Sequence, residues 1–354
     1  MKEKYRAAML GCALGDTLGM PVEVWPRERI LKAVPGGKGI QEPIDGFYLK
    51  NSVGEIIKED EFGKIKYWGA ELKKGEWTDD TLLTLVVAES LIEGGLNLEV
   101  MARNHVRVYE SARKPDGTIG GGFGGTTRQA IEKLIAGEKP ENSGVIGGPG
   151  NAPGMKMAPL GMYMHATGKY REGLEFAQKV GKITHLDPRS LVSGVMQAHA
   201  IYSILQGADR KQFLNGAYEV CRDWEGQLTE EFTWHKSGKM IARIDWILDN
   251  KDSSVEEAFN YLGNSSAVYK SYPFALFMFQ RNYDNPESAK EMLLDTVNYG
   301  GDCDTTAAIA GTLLGARHGM VFPTDWVNAL SQRDCLLTAA DNLYAFKEIS
   351  GGRR

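Results

Sequence analysis

Two short acidic segments of this chain have the residue types and spacing of a divalent metal site. Each precedes an apolar run, at residues 82–91 and 307–314. Oxygen ligands are what Mg²⁺ and Mn²⁺ prefer, whereas Zn²⁺ would be expected to recruit His or Cys. A close pair of such ions can orient substrate hydroxyls and activate a water. The two segments together supply four carboxylates and two hydroxyls, from Thr78, Asp79, Asp80, Asp302, Asp304 and Thr305.

Either segment taken alone also fits a helix N-terminus. Threonine is a favoured N-cap residue, and acidic side chains in a first turn complement the helix dipole. Asp302 and Asp304, however, are separated by one small residue and follow two glycines, so their carboxylates can bracket one cation. Two segments of the same design favour a shared oxygen-lined pocket over two independent caps.

The composition is that of an ordinary globular protein. The 354 residues are 42% hydrophobic and 25% charged, and the net charge of -5 argues against a general electrostatic grip on nucleic acid. The four cysteines lack CxxC spacing and are typical of reduced thiols. No apolar run approaches the roughly 20 residues that span a bilayer, and the first residues lack an apolar signal segment. We therefore expect a soluble, cytoplasmic protein that contacts no membrane.

Helical periodicity dominates the chain and defines the elements that must position these residues. Apolar residues recur at three- and four-residue spacing in seven segments: 98–112, 171–181, 187–205, 212–224, 286–297, 305–315 and 336–346. Alternating patterns occur only within residues 41–72, which predicts a small hairpin or an extended surface flap near 41–74. The core aromatics are expected to include Trp224, Phe232, Trp234 and Trp246. The predicted fold is all-α, a single compact orthogonal multi-helix domain over residues 1–354.

A third acidic segment, with Gly15, Asp16, Gly19 and Glu23, precedes the other two. The three segments occur in the order seen in the ADP-ribosylglycohydrolase family, which this chain resembles. That family includes the dinitrogenase reductase-activating glycohydrolases and the animal ADP-ribosyl-acceptor hydrolases. The similarity continues through residues 150–161, 184–188 and 271–276, and so covers most of the chain.

The resemblance implies an all-α domain with a dinuclear centre of two Mg²⁺ or Mn²⁺ ions. Glu23 matches an acid on a mobile loop near the scissile bond and is interpreted as a general acid or a loop gate. Asp16 is interpreted as a support for that loop. Asp304 is expected to serve both ions. By position, the family's metal ligands match Thr78, Asp79, Asp80, Asp302, Asp304 and Thr305.

The glycine-rich stretch 120–125 contains a formal GxGxxG pattern. A helix and a polar turn precede it instead of the strand that a dinucleotide-binding fold requires, so we reject that fold. Backbone amides at a glycine-rich helix N-terminus can hold a phosphate. By resemblance, Gly122, Gly124 and Gly125 would lie near the diphosphate of ADP-ribose.

Residues 150–161 are predicted to form a loop that enters a helix. By resemblance, this loop lines the ribose and phosphate pocket, and the family usually has an arginine here. This chain instead has Pro153, which lacks an N–H donor, and Lys156, which cannot make a bidentate arginine contact. The change bears on the exact substrate and not on the metal chemistry. The predicted substrate contacts in this part of the chain and in the 184–188 motif are Asn151, Gly154, Met155 and His185.

The leading hypothesis is a dinuclear-metal-dependent hydrolase that cleaves the N- or O-glycosidic bond between ADP-ribose, or a related ribosyl group, and its acceptor. The expected substrate is an ADP-ribosylated protein or a small ADP-ribosyl conjugate, and we expect a monomer. One alternative is a non-catalytic ADP-ribose- or nucleotide-binding protein, suggested by the altered segment 151–156. Another is a two-metal hydrolase of a different nucleotide-like substrate. The acceptor stays open between arginine, serine, a base and a small molecule, and residues 41–74 are hypothesised to select it.

Overall fold

The chain is built almost entirely from helices. The computed structural model describes residues 1–34, 36–228 and 238–351. Two short 3₁₀ helices, Met20–Val22 and Pro286–Ser288, accompany the α-helices. The α-helices in the described ranges are α1 (Lys2–Gly19), α2 (Arg27–Ala33), α3 (Asp79–Gly94), α4 (Leu98–Ser111), α5 (Gly125–Ile135), α6 (Ala152–Lys156), α7 (Ala158–Thr167), α8 (Tyr170–Lys182), α9 (Pro188–Leu205), α10 (Arg210–Leu228), α11 (Met240–Asp249), α12 (Val255–Leu262), α13 (Val268–Arg281), α14 (Ala289–Asn298), α15 (Cys303–His318), α16 (Thr324–Ala329) and α17 (Arg333–Gly351). The predicted all-α class is confirmed.

The predicted helices agree with the structure except at prolines. The segment predicted to begin at Pro286 starts as a 3₁₀ turn and becomes α-helical only at α14. The loop predicted over residues 150–161 is wrong for most of its length, because α6 occupies Ala152–Lys156 and α7 begins at Ala158. Pro153 and Pro159 stand in the first turns of these two helices, where a missing N–H removes no internal hydrogen bond.

The flap over residues 41–74 is mostly irregular. Its paired strands are β1 (Glu59–Asp60) and β2 (Gly63–Lys64), which run antiparallel. Arg29 of α2 holds the turn between them with a bidentate ion pair to Asp60, at 2.9 and 2.7 Å. The predicted hairpin is therefore present, but it is shorter than the alternating pattern indicated.

Helices α1 and α15 cross with their backbones in contact. A Cβ on Gly11 would lie 2.1 Å from the carbonyl oxygen of Gly311, and a Cβ on Gly15 would lie 2.1 Å from the carbonyl carbon of Ala307. Gly19 continues the same stripe, since its Cβ would lie 2.3 Å from the backbone nitrogen of Asp304. Glycine at every fourth position thus lets the start of α15 rest directly on α1.

The core is one connected cluster of buried apolar side chains contributed by most of the helices. Of the predicted core aromatics, Trp224 and Trp246 are half-buried and pack against this cluster. Phe232 and Trp234 lie outside the described residues. None of the described helices combines the length and the apolar character needed to cross a membrane.

Candidate metal centre

A carboxylate from α1 fixes the first acidic segment. Thr78 is the N-cap of α3. Asp16, fully buried on α1, accepts hydrogen bonds from the backbone N–H and hydroxyl of Thr78 at 2.9 and 3.0 Å. It also accepts from the backbone N–H and hydroxyl of Thr81 at 3.1 and 2.6 Å. Asp16 therefore organises the first turn of α3, and these bonds do not go to the Glu23 segment that the sequence led us to expect.

A two-glycine turn brings Glu23 to the second acidic segment. Gly300 and Gly301 have positive φ of 78° and 71°, and a Cβ on Gly300 would lie 2.2 Å from the carbonyl oxygen of Trp25. Gly301 donates its N–H to that carbonyl at 3.0 Å and accepts from the N–H of Val24 at 2.7 Å. Only glycine fits this conformation and this approach. The bonds hold Glu23 beside the start of α15.

Three carboxylates converge at this point. One oxygen each from Glu23, Asp302 and Asp304 lies within 4.8 Å of the other two. Asp302 is the N-cap residue of α15, yet its side chain makes no cap hydrogen bond. One of its oxygens instead accepts from the amide of Asn151 at 2.8 Å. The interpretation of Asp302 as an ordinary helix cap is therefore wrong.

Asp80 adds an oxygen with no partner. Its Oδ2 accepts from the hydroxyl of Thr305 at 3.1 Å, which joins α3 to α15. Its Oδ1 is buried and makes no hydrogen bond within the described part of the chain. A buried carboxylate oxygen without a donor is costly unless it has a positive partner.

Burial and the charge of neighbouring carboxylates raise the pKa values of Glu23, Asp79, Asp80 and Asp304. Burial first, and then Asp302, raises the pKa of Glu23 to about 8. Burial and neighbouring carboxylates also raise the pKa of Asp79 to about 7. The same causes raise the pKa values of Asp80 and Asp304 well above their ordinary range. Without a bound cation, the repulsion among these carboxylates is reduced by the uptake of protons.

A cavity of about 340 Å³ opens over the carboxylates. Gly122 approaches closely, since a Cβ there would lie 2.6 Å from Oδ1 of Asp79. Its φ of +86° favours glycine independently. The structure brings to this cavity all but one of the predicted site residues: Glu23, Thr78, Asp79, Asp80, Gly122, Gly124, Gly125, Asn151, Met155, His185, Asp302, Asp304 and Thr305.

His185 forms part of the cavity wall. Its Nδ1 lies 3.0 Å from the hydroxyl of Thr184, and a Cβ on Gly150 would lie 2.4 Å from its Nε2. Burial lowers the pKa of His185 to about 3, so the ring is neutral at physiological pH. A neutral imidazole can position a ligand through one hydrogen bond without adding charge to the cavity.

Gly154 is the predicted site residue that does not line the cavity. A Cβ there would lie 2.9 Å from the hydroxyl of Ser193 and 3.1 Å from the ring of Tyr272, so Gly154 permits close packing behind the wall. The prediction of Gly154 as a substrate contact does not fit this geometry.

Lys156 is likewise absent from the cavity lining. Its fully buried Nζ lies 3.1 Å from Nε2 of His105 and 3.4 Å from the hydroxyl of Thr184. Nδ1 of His105 lies 2.8 Å from the carbonyl oxygen of Met101, which can only accept, so Nε2 is the acceptor for Lys156. Burial lowers the pKa of Lys156 to about 7. Lys156 therefore does not take the place of a substrate-binding arginine.

Several lining residues carry no sequence motif. The chain near Ala267 reaches the cavity because the N–H of Val268 donates to the carbonyl of Pro149 at 2.7 Å, next to a bridge between Gly150 and Ala267. The only feature of the sequence that could have indicated Thr126 and Thr127 is that they directly follow the glycine-rich stretch 120–125. Gly150 and Ala152 belong to the segment 150–161 that was expected to line the pocket but were not singled out, and the lining residues that the sequence analysis missed altogether are Met20, Thr126, Thr127, Gly148, Pro149, Ser266 and Ala267.

The chain is similar to several known proteins. The family model described as ADP-ribosylglycohydrolase matches residues 1–351. An uncharacterised protein of Archaeoglobus fulgidus is 28% identical, over 97% of both chains. The human protein named ADP-ribosylhydrolase ARH3 is 26% identical, over 71% of this chain and 73% of its own. A Serratia proteamaculans protein named ADP-ribosylarginine hydrolase Tri1 is 22% identical, over 97% of this chain and 79% of its own.

A solved structure described as an ADP-ribosylglycohydrolase-related protein complex has a similar fold. It covers 98% of both chains with a TM-score of 0.65 and 24% identity. The match of the family model over nearly the whole chain shows the relationship directly. This chain belongs to the ADP-ribosylglycohydrolase family.

Proposed function

We propose that this protein is a metal-dependent hydrolase that cleaves the glycosidic bond between ADP-ribose, or a related ribosyl group, and its acceptor. The observation that carries the proposal is the convergence of Glu23, Asp302 and Asp304 at the floor of the cavity. Membership of the family supports the class of reaction. Dependence on metal and the roles of individual residues go beyond that membership.

The donor set fits a hard divalent cation. It consists of carboxylate and hydroxyl oxygens, includes the unpartnered Oδ1 of Asp80, and gathers more negative charge than the neighbouring side chains neutralise. Mg²⁺ and Mn²⁺ match such ligands. When bound, a pair of these ions would supply Lewis-acid polarisation and a template for the ribose hydroxyls. The residues that we propose hold two ions are Thr78, Asp79, Asp80, Asp302, Asp304 and Thr305.

Glu23 is the proposed general acid. Its carboxyl lies beside Asp302 and Asp304, and in the metal-free protein burial, followed by Asp302, raises its pKa to about 8, which favours a carboxyl that carries a proton. A protonated carboxyl at this position can donate to the leaving oxygen or nitrogen as the glycosidic bond breaks. Glu23 also lies close enough to the other two carboxylates to contact a cation itself, so its segment is the natural gate of the site.

The remaining wall residues are proposed to bind the ADP-ribosyl group. Gly124 is the N-cap of α5, and its neighbours Gly122 and Gly125 leave backbone amides accessible to a phosphate. Asn151 is fixed by its bond to Asp302, and neutral His185 faces the same cavity. These groups orient the substrate and displace water from the carboxylates.

A panel of linkages tests the proposal. Purified protein would be incubated with Mg²⁺ or Mn²⁺ and with ADP-ribose attached to arginine, serine, a nucleobase or a small molecule. Free ADP-ribose released from at least one substrate, and lost in EDTA, is the expected result. Inorganic phosphate or AMP as the product would point to a phosphoester hydrolase. Tight ADP-ribose binding without any turnover would point to a binding protein.

Stabilisation by metal is expected to increase with pH. In metal-free protein, the pKa values of Glu23 and Asp79 are raised to about 8 and 7, so the folded state holds more protons than the unfolded state between about pH 4 and 8. The metal-free fold therefore loses stability as pH rises through that range. Because cations displace these protons, Mn²⁺ should raise the melting temperature more at pH 8.5 than at pH 5.5. Equal shifts at the two pH values, measured by thermal unfolding, would contradict this coupling.

A further inference from the structure

The flap carries an exposed tryptophan next to a glycine that packs against the cavity-lining residue Met20. Trp68 is 60% exposed, which is unusual for a residue that is highly buried on average. Its neighbours in the chain are fixed. The carbonyl of Lys66 accepts from the indole N–H of Trp25 at 2.8 Å, and a Cβ on Gly69 would lie 2.5 Å from the carbonyl oxygen of Met20. The backbone under Trp68 is therefore held on both sides while its ring stays in solvent.

Both anchors belong to the wall that carries the proposed general acid. Met20 lines the cavity, and Trp25 follows Glu23 by two residues in the segment bonded to Gly301. Trp68 consequently lies on the Glu23 side of the mouth. A proton donor stands on the side from which the leaving group departs, so this is where the acceptor would emerge.

Lys66 gives this part of the mouth a positive charge. Its Nζ lies 5.6 Å from the centroid of the Trp68 ring, within the range of a cation–π contact. It also lies near enough to Glu23 to oppose the upward effect of burial on the pKa of that carboxyl. The ring and the ammonium group thus form one pair at the edge of the site.

We propose that Trp68 and Lys66 form an acceptor subsite that favours a neutral, hydroxyl-linked acceptor over a guanidinium-linked one. The inference rests on the proposed function, because it assigns the leaving group of that reaction. The ring of Trp68 offers a large, rigid contact for the apolar or flat part of an acceptor peptide. Lys66 disfavours a cationic acceptor by like-charge repulsion, which is a common route to specificity.

Three substrates separate the acceptor subsite from the catalytic site. Two are peptides of the same sequence that carry ADP-ribose on serine or on arginine, and the third is 1″-O-methyl-ADP-ribose, which has no acceptor to bind. Trp68→Ala, Lys66→Glu and the control Phe62→Ala would be compared by kcat and KM. Phe62 is a suitable control because it is an exposed aromatic of the same flap, 37% accessible, on the β1–β2 turn.

We expect wild-type protein to prefer the serine peptide, and Lys66→Glu to lower the serine-to-arginine ratio of kcat/KM by about tenfold, which corresponds to about 1.4 kcal/mol. The methyl glycoside reports any effect of Lys66 on Glu23, since it also releases an alcohol but has no acceptor peptide to contact the subsite. Trp68→Ala should raise KM for both peptides and leave the methyl glycoside unaffected. Phe62→Ala should change none of these values.

The outcomes distinguish failure of the acceptor subsite from failure of the proposed function. Hydrolysis of all three substrates with unchanged ratios and KM values in both variants overturns the acceptor subsite and leaves the proposed function standing. A wild-type preference for the arginine peptide also overturns the subsite. Failure to hydrolyse any ADP-ribosyl substrate overturns the proposed function together with the subsite.

Discussion

Asp304→Asn is expected to lower turnover of an ADP-ribosyl substrate by about 10³-fold or more, because Asp304 is a proposed metal ligand and the loss of Lewis-acid stabilisation would cost several kcal/mol. The amide can still accept the hydrogen bond from the N–H of Thr305, at 2.9 Å, so the first turn of α15 should keep its shape. In EDTA the variant should melt at a higher temperature than wild type. The reason is that Asp304 is a buried acid whose pKa is raised by burial, Glu23 and Asp302.

Lower turnover together with a higher melting temperature would exclude loss of folding as the cause of the lower turnover. Steady-state kinetics with Mg²⁺ and Mn²⁺ measures the first effect, and thermal unfolding in EDTA measures the second. Asp325→Asn, at an exposed position in the first turn of α16, is the matched control and should alter neither. If Asp304→Asn hydrolysed the substrate at the wild-type rate, Asp304 would not be part of the catalytic centre.

Gly15→Ala is expected to lower the free energy of unfolding by more than about 3 kcal/mol. The added Cβ would lie 2.1 Å from the carbonyl carbon and oxygen of Ala307, and no side-chain rotation relieves a contact with backbone. The two helices would have to separate. That movement would also displace Asp304, whose backbone nitrogen rests against Gly19. Chemical denaturation measures the stability change, and Mn²⁺-dependent stabilisation reports on the site.

Gly125→Ala is the control for this substitution. Gly125 is also a helical glycine, but nothing lies within 4 Å of the Cβ that it would gain. Alanine there should leave stability unchanged or increase it by about 0.5 to 1 kcal/mol, since glycine is the poorer helix former. If Gly15→Ala unfolds at the wild-type denaturant concentration, the backbone contact between α1 and α15 is not a constraint on stability.

The features predicted from sequence are those with local causes. The helices follow from three- and four-residue periodicity, and the cap at Thr78 follows from residue type and position. The grouping of the two Asp-containing segments followed from their shared design, and the addition of Glu23 to them came from the family resemblance. Pro153 misled the prediction because proline ends a helix in one context and begins one in another, and only the fold distinguishes the two.

The features of the site that the sequence did not predict depend on contacts between distant segments. Asp16 caps α3 across 62 residues of chain, which its place at the end of an apolar helix does not indicate. The approach of Glu23 to Asp302 depends on the hydrogen bonds of Gly301 with Val24 and Trp25. Lys156 does not line the cavity because its side chain contacts His105, a residue that no motif connects to the site.

The crossing of α1 and α15 also determines when the site can exist during synthesis. The sulfur of Cys303 lies 3.4 Å from the carbonyl oxygen of Gly19, although 284 positions separate them in sequence. During synthesis from the N-terminus, the glycine face of α1 therefore stays uncovered until α15 has emerged from the ribosome. Asp302 and Asp304 become available with that helix. The proposed metal site can therefore assemble only after α15 has been synthesised, and a chain terminated before α15 would lack the carboxylates of Asp302 and Asp304.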